Sequence, residues 1–522
     1  MAMKLGVCFQ VNAAKVVPVT CALIAIAVLF ASNNVVSVIS TNQVDNSGGT
    51  AQRFEATSAV GSATWATGWS EYAISPAKAS YVSAWGGPWS AQHLLQTPGG
   101  TNLGDVNLSW DPVHGSPQGR FVFVALEVGN PTPPTQPNVW YGYSSDAHGS
   151  SWSVQTIAFS GTFSTGGWDY PSVGVDPLGN IIVGAVSMLK IGTGSCPSTA
   201  KNPCPNGYYS NISTDGQNFN STPSLVTSGA GAGAGAQSRV VATSNNTYHA
   251  FVPTLDSNNL PNKIIRWQSS NGTTWTQQGT VLSFVAPLNN SPTNTPPVIF
   301  YGPLLTAQGY TDGRWTIAFQ VNNGGFSNVE DCTSDRGCGM VNPCPGSMCS
   351  GTDQFLAGTG TYNDKGYWIS YYTYTTLPRT LPLVTQAIYC PPGVACIGAT
   401  TNTGIDPTNW VQLQRCPMNT GQNGACYAAG DYQGIAAGRT SAPSSLPGAS
   451  TPFVKQASGV ETHLWQSFTQ DPQAVANVPN FIPDSIWVPL GSDISSIAGP
   501  PPPGTDLAYP PGHNQGMSDP VH

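Results

Sequence analysis

Three aspartates open short apolar runs at distant points of the chain: Asp105-Val-Asn-Leu-Ser-Trp-Asp-Pro112, Asp169-Tyr-Pro-Ser-Val-Gly-Val-Asp-Pro177 and Asp431-Tyr-Gln-Gly-Ile-Ala-Ala437. Tyr170 and Tyr432 follow two of them, and Ser238-Arg239 holds the corresponding place in a fourth run. Carboxylates gathered from such runs have three uses. As an acid/base pair, their separation sets the stereochemical outcome of glycoside cleavage. As oxygen ligands they hold a hard cation, so a structural Ca2+ is left open although no cofactor is expected. As caps they accept backbone N–H groups of the strands they open. Asp105, Asp169 and Asp431 are thus the candidate catalytic residues, and Tyr170, Arg239 and Tyr432 the candidate ligand-binding ones.

Other chemistries find no footing. The chain has neither a Gly-x-Ser-x-Gly elbow nor a Gly-x4-Gly-Lys phosphate loop, and its seven His, scattered from His93 to His522, form no His-Glu-x-x-His. No EF-hand loop is present, and no metal centre is expected. With 17 Lys+Arg against 25 Asp+Glu, the net charge is −8. Neither nucleic acid nor an anionic membrane is therefore expected as main partner. Only 8% of residues are charged, while 15 Trp and 19 Tyr supply rings large enough to order a chain. Sugar sites use aromatic and amide side chains more than charge, which suits this composition.

Fifty-eight Gly and 45 Pro demand many turns and little helix. Three turn segments repeat: Ser144-Ser-Asp146-Ala-His-Gly149-Ser-Ser-Trp152, Ser213-Thr-Asp215-Gly216-Gln-Asn-Phe219 and Ser269-Ser-Asn271-Gly272-Thr-Thr-Trp275. Each lies between two alternating, aromatic-rich strands. An Asx residue bonds its own backbone and the following Gly accepts φ > 0, which closes a tight hairpin. The segments resemble the Asp-box, or BNR repeat, of sialidase-like β-propellers, with Asn at 271 and one inserted residue at 146. That resemblance implies an all-β fold of four-stranded blades. Blades are expected near 104–160, 167–226, 236–284, 296–390 and 428–490. The fourth would carry a long insertion at 322–366, and a less typical first blade would span 50–98. Six blades are predicted, with Ser485-Ile-Trp-Val488 a candidate for closing the ring.

By the same resemblance, Asp146, Asp215 and Asn271 sit on turns between third and fourth strands, away from the binding face, and are structural. The aspartates that open inner strands would point to the axis on the opposite face. Ten cysteines fall close in sequence: Cys196/Cys204, Cys332/Cys338/Cys344/Cys349, Cys390/Cys396 and Cys416/Cys426. They are expected to form disulfides stapling long loops of the binding face, with the pairing among Cys332, Cys338, Cys344 and Cys349 open. Sialidases of this superfamily bind the substrate carboxylate with three arginines, the first in an Arg-Ile-Pro motif. Here the first Arg after the N-terminal apolar run stands in Gln52-Arg53-Phe54-Glu55, so no family catalytic residue carries over.

Lys4 and Lys15 precede an apolar run, Val16 to Ala31, that reads as an export signal or an uncleaved anchor. Residues 1–40 are assigned to this segment, 41–495 to the propeller and 496–522 to a Pro-rich tail. The chain is expected to be secreted or held at the cell surface, touching a membrane only through its N-terminal segment. Six sequons, at Asn107, Asn211, Asn220, Asn245, Asn271 and Asn289, are compatible with glycosylation. Two function classes follow: a propeller that binds a glycan or a cell-surface protein, or a glycoside hydrolase using the axis-facing carboxylates.

Overall fold

In the computed structural model, most of residues 52–402 are described, together with 37–38, 42–43, 434–440, 461–470 and 484–493. The longest undescribed stretches within 52–402 are 129–137, 195–203, 229–237, 285–304, 342–353 and 375–382. The N-terminal apolar run, the Pro-rich tail, Asp431, Tyr432 and Cys196, Cys344, Cys349, Cys416 and Cys426 lie outside the described residues.

All described regular structure is β, arranged as seven antiparallel sheets. Blade 1 starts with Gln52–Val60, blade 2 with Leu103–Asp111, blade 3 with Trp168–Val175 and blade 4 with Arg239–Ala242. Blades 5, 6 and 7 start with Thr306–Gly309, Gln354–Tyr362 and Gly434–Thr440. In blades 1–6 four consecutive strands pair in order. First strands pack on one another from blade to blade, and that of blade 7 packs back on Gln52–Val60. This is a closed, propeller-like ring.

Seven sheets replace the six expected blades. The stretch 296–390, expected as one blade with a long insertion, holds blade 5 and most of blade 6. The supposed insertion contains Phe326–Thr333 and Gly337–Met340, the outer hairpin of blade 5, and all of Gln354–Tyr362, the first strand of blade 6. Ser485–Val488 lies in the third strand of blade 7, Asp484–Asp493. The outer edge of that strand is covered by Ser37–Val38 and Asn42–Gln43, so the N-terminal part of the chain closes the ring.

Packing between blades explains the unbroken apolar runs. In Arg120–Glu127, Phe121, Phe123 and Ala125 pack with Ala66, Val82 and Ala84 of blade 1. Val122, Val124 and Leu126 pack with Val173, Ile181 and Val183 of blade 3. A strand buried on both sides needs apolar residues at every position. The outermost strand Trp152–Phe159 alternates partly covered and exposed side chains over most of its length, as a half-buried edge should.

In an antiparallel meander, strand 1–2 and strand 3–4 turns lie at one end of every sheet. The start of strand 1, the 2–3 loops and the connections between blades lie at the other. At the turn end, Asp146 Oδ1 accepts the N–H groups of His148 and Ser150 at 3.0 and 3.1 Å. Asp215 Oδ1 accepts those of Gln217 and Asn218 at 2.9 and 2.7 Å, and Asn271 Oδ1 those of Thr273 and Thr274 at 3.0 and 2.8 Å. The turns also tie blades together. The Gly216 carbonyl accepts Arg120 Nη2 and Tyr141 Oη of blade 2 at 2.6 and 3.0 Å. The Gly272 carbonyl accepts Ser210 Oγ of blade 3 at 2.9 Å.

Two disulfides are described, and both correct the expected placement. Cys332–Cys338 joins directly opposed residues of the blade 5 outer hairpin. Cys390–Cys396 staples the connection after the third strand of blade 6. Both belong to 3–4 turns and so lie on the turn face, opposite the face where inner strands begin. In blades 5 and 6 a six-residue covalent step stands where blades 2–4 use an Asx side chain. Cys204 is the first residue of a strand, Cys204–Ser213, where it stands across from Leu189 at the end of the second strand of blade 3, at the foot of the 2–3 loop it is expected to staple. Neither described disulfide includes Cys204, whose expected partner Cys196 lies among the undescribed residues.

Candidate functional site

The described candidates Asp105, Asp169, Tyr170 and Arg239 belong to the end of the ring where inner strands begin, and in blades 2 and 3 the backbone is not regular there. In blade 2 pairing breaks between Gly104 and Asn107, and in blade 3 between Asp169 and Ser172. Blades 1 and 6 break in the same way, between Phe54 and Thr57 and between Phe355 and Gly358. Each break leaves two residues as a bulge, a device that re-aims side chains at the rim of a sheet. In the two adjacent blades 2 and 3, the first bulge residue is non-glycine with positive φ: Asp105 at 53° and Tyr170 at 51°. Such conformers cost on the order of 1–3 kcal/mol and persist where the surroundings enforce them.

The bulges correct the expected alignment of the aspartates. Asp105 is structurally equivalent to Tyr170, whereas Asp169 is equivalent to Gly104. Asp105 and Asp169 therefore do not form a ring of identical carboxylates, since they sit one step apart on their strands. Both are half-buried, as is Tyr170. The Asp105 N–H donates to Ser70 Oγ of blade 1 at 3.1 Å, and Asp169 Oδ1 accepts the N–H of Tyr170 at 2.8 Å. The second contact fits the capping use of a strand-opening aspartate.

The residue after each bulge explains why the distortion is held in place. Thr57 Oγ1 accepts the N–H of Leu108 at 3.4 Å, Asn107 Oδ1 that of Val173 at 3.2 Å, and Ser172 Oγ that of Val240 at 3.2 Å. The inner strands of blades 1 to 4 are thus each stitched to the next by one polar side chain. By this register Arg239 corresponds to Ser172, not to Tyr170. It is buried, and its Nη1 donates to the Pro171 carbonyl at 3.4 Å. Arg239 therefore closes the bulge of blade 3. Ser172 Oγ also bonds Tyr208 Oη at 3.0 Å, and the hydroxyl of Tyr208, buried, is pushed up from its ordinary range. Ser70, Ser172 and Asn107 were missed in the sequence, where only their spacing from the bulge could have flagged them. Asn211 is buried with its amide nitrogen bonded to the Ala158 and Asn220 carbonyls, so that sequon offers no free nitrogen.

Several carboxylates elsewhere are committed to structure. Buried Asp111 bonds Arg120 Nε at 3.2 Å and His114 Nδ1 at 2.9 Å, and buried Asp176 accepts Tyr248 Oη at 3.1 Å. Asp331 bonds Arg336 Nη2 at 2.5 Å and the Tyr367 hydroxyl of blade 6, and burial pushes its carboxyl up. Among the described residues no group of three or more His, Cys, Asp or Glu is arranged to hold a metal ion.

No family model matches the chain, and no curated protein matches it. Solved structures do. A protein of unknown function from Dyadobacter fermentans DSM 18053 is similar at 12% identity and TM-score 0.43, over 87% of this chain and 98% of its own. The α-L-arabinofuranosidase Arb93A from Fusarium graminearum is similar at 12% identity and TM-score 0.42, over 69% and 98%. A mutant of the Aleuria aurantia lectin, in complex with α-methyl-L-fucoside, is similar at 10% identity and TM-score 0.37, over 69% and 98%. At these values the assignment of fold rests on the sheet topology itself.

Proposed function

We propose that this chain is an exported propeller, secreted or held at the cell surface, that binds glycans or a surface partner through the face where its inner strands begin. The observation that carries the reading is the pair of strained bulges in adjacent blades. Asp105 and Tyr170 hold positive φ at equivalent positions, half-exposed, with Asp169 beside them. Strain kept at two neighbouring non-glycine residues is the mark of side chains aimed for a purpose. A carboxylate and a phenol ring so placed offer a sugar hydrogen-bond acceptors and a stacking face. By sequence, Asp431-Tyr432-Gln-Gly-Ile435 repeats the spacing of Asp169-Tyr170-Pro-Ser-Val173. The BNR-type turns belong to the opposite end and serve as scaffold.

The test exposes the purified 41–522 chain and the full chain to mixed glycoproteins and polysaccharides, with mass spectrometry of released sugars and a pull-down on a glycan array. Retention on one glycan class, weakened tenfold or more by Tyr170→Ala and Asp105→Asn, is the expected result. Sugar release abolished by Asp169→Asn or Asp431→Asn would make it a glycoside hydrolase instead. Neither release nor retention would leave a protein partner.

A further inference from the structure

The seam between blades 4 and 5 holds polar groups that neither the ring nor the loop face uses. His249, in the second strand of blade 4, Tyr248–Leu255, is 3% exposed and neither ring nitrogen has a hydrogen-bond partner. Its ring lies 6.5 Å from that of Trp315 of blade 5. On the next strand, Pro261–Ser269, Arg266 places its guanidinium over the same indole, with Cζ 5.4 Å from the ring centroid. Among the described residues no carboxylate pairs with Arg266. A buried imidazole is costly unless something bonds it, and the half-buried guanidinium beside it has no carboxylate partner among the described residues.

There is room beside Arg266. Arg266 lies directly across from Gly279 in the outer strand Thr276–Ser283, where the ladder carries a bulge. Gly279 has φ 114°, and a Cβ there would meet no atom within 4 Å. The notch is therefore open at the Arg266 end and closed at the His249 end. Arginine offers a planar fork of donors that matches a carboxylate, and a neutral imidazole adds one further donor. A chain of net charge −8 does not attract anions by its overall field, so an anion must be held by local donors of this kind.

We propose that the blade 4–5 seam is a second ligand site, which takes the carboxylate of a small organic acid of the uronic-acid class on Arg266 and His249. The indole of Trp315 forms its apolar wall. The site is separate from the loop face and shares no residue with it.

Calorimetric titration of the full chain with galacturonate, and with galactose as the neutral control, tests this. Galacturonate is expected to bind at one site and galactose not to bind. Arg266→Gln should weaken binding at least tenfold, and His249→Phe measurably. Arg266→Lys, which keeps the charge but loses the fork, should fall between. A paired Asp105→Asn, Tyr170→Ala variant should bind galacturonate as the unmodified chain does, which separates this site from the loop face. No binding of galacturonate, equal binding of galactose, or unchanged binding by a folded Arg266→Gln or Arg266→Lys chain would overturn the proposal.

Discussion

Burial holds His249 at a pKa of about 4, aided by the charge of Arg266, so the ring is neutral at physiological pH. Its folded pKa lies below the unfolded 6.5, so the unfolded chain binds the proton more readily. Stability from this residue is complete above pH 6.5 and drains away as pH falls toward 4, by on the order of 3 kcal/mol. Glu330 acts in the opposite sense. It stands between Phe319 and Met340 on the blade 5 face that packs on blade 4, and burial, then the charge of Asp331, lifts it to about 7. Its stabilising effect is complete below pH 4.5 and lost as pH rises through 7. Melting temperatures across pH 4–8 should show both limbs. His249→Phe should flatten the acid limb and Glu330→Gln the alkaline one. Neither residue was legible as special in the sequence, because an isolated His or Glu in a strand carries no local pattern. Asp215 was legible: an Asx-Gly step between aromatic strands specifies its own hydrogen bonds.

At the scale of the strand, a bulge decides what a sequence alignment cannot. Matching Asp105 to Asp169 by their apolar runs misses the offset between the two strands, and a single step moves a side chain to the other face. Replacing Asp105 by Gly removes the strain of a non-glycine residue at φ 53° and should leave stability unchanged or raise it by up to about 1 kcal/mol. Ligand retention should fall all the same, so denaturant unfolding beside glycan binding separates scaffold from function at that position. The outer hairpin of blade 5 offers the complementary case. Its six-residue Cys332–Cys338 step should contribute about 2 kcal/mol through loop closure, so Cys332→Ser with Cys338→Ser should lower the urea midpoint accordingly. The sequence hid this hairpin because its turn, Thr333-Ser-Asp335-Arg-Gly337, is not followed by the aromatic residue that closes the repeat in blades 2–4. A covalent bond there takes the part that turn chemistry plays elsewhere.

The whole ring depends on residues that a reading by segments sets apart. Strand periodicity and turn spacing were enough to reveal a succession of four-stranded units. The number of units was not legible, since one missing turn signal fused blades 5 and 6. Ring closure was not legible either, because Ser37–Val38 falls inside 1–40, the stretch assigned to export. A chain beginning at residue 37 keeps both N-terminal pairings, one beginning at 41 keeps only Asn42–Gln43, and one beginning at 45 keeps neither. The first should melt with the full chain, and the last should lose about 2 kcal/mol, at about 1 kcal/mol for each net backbone bond, as thermal unfolding would show. The same closure sets a clock on biosynthesis. Roughly 450 residues lie between Val38 and its partner strand, so at ~5–20 residues per second the segment waits roughly twenty to ninety seconds before that partner is made. Until then six finished blades form an open arc with both ends bare, and the newborn protein is most exposed to its neighbours in the interval just before its last strand emerges.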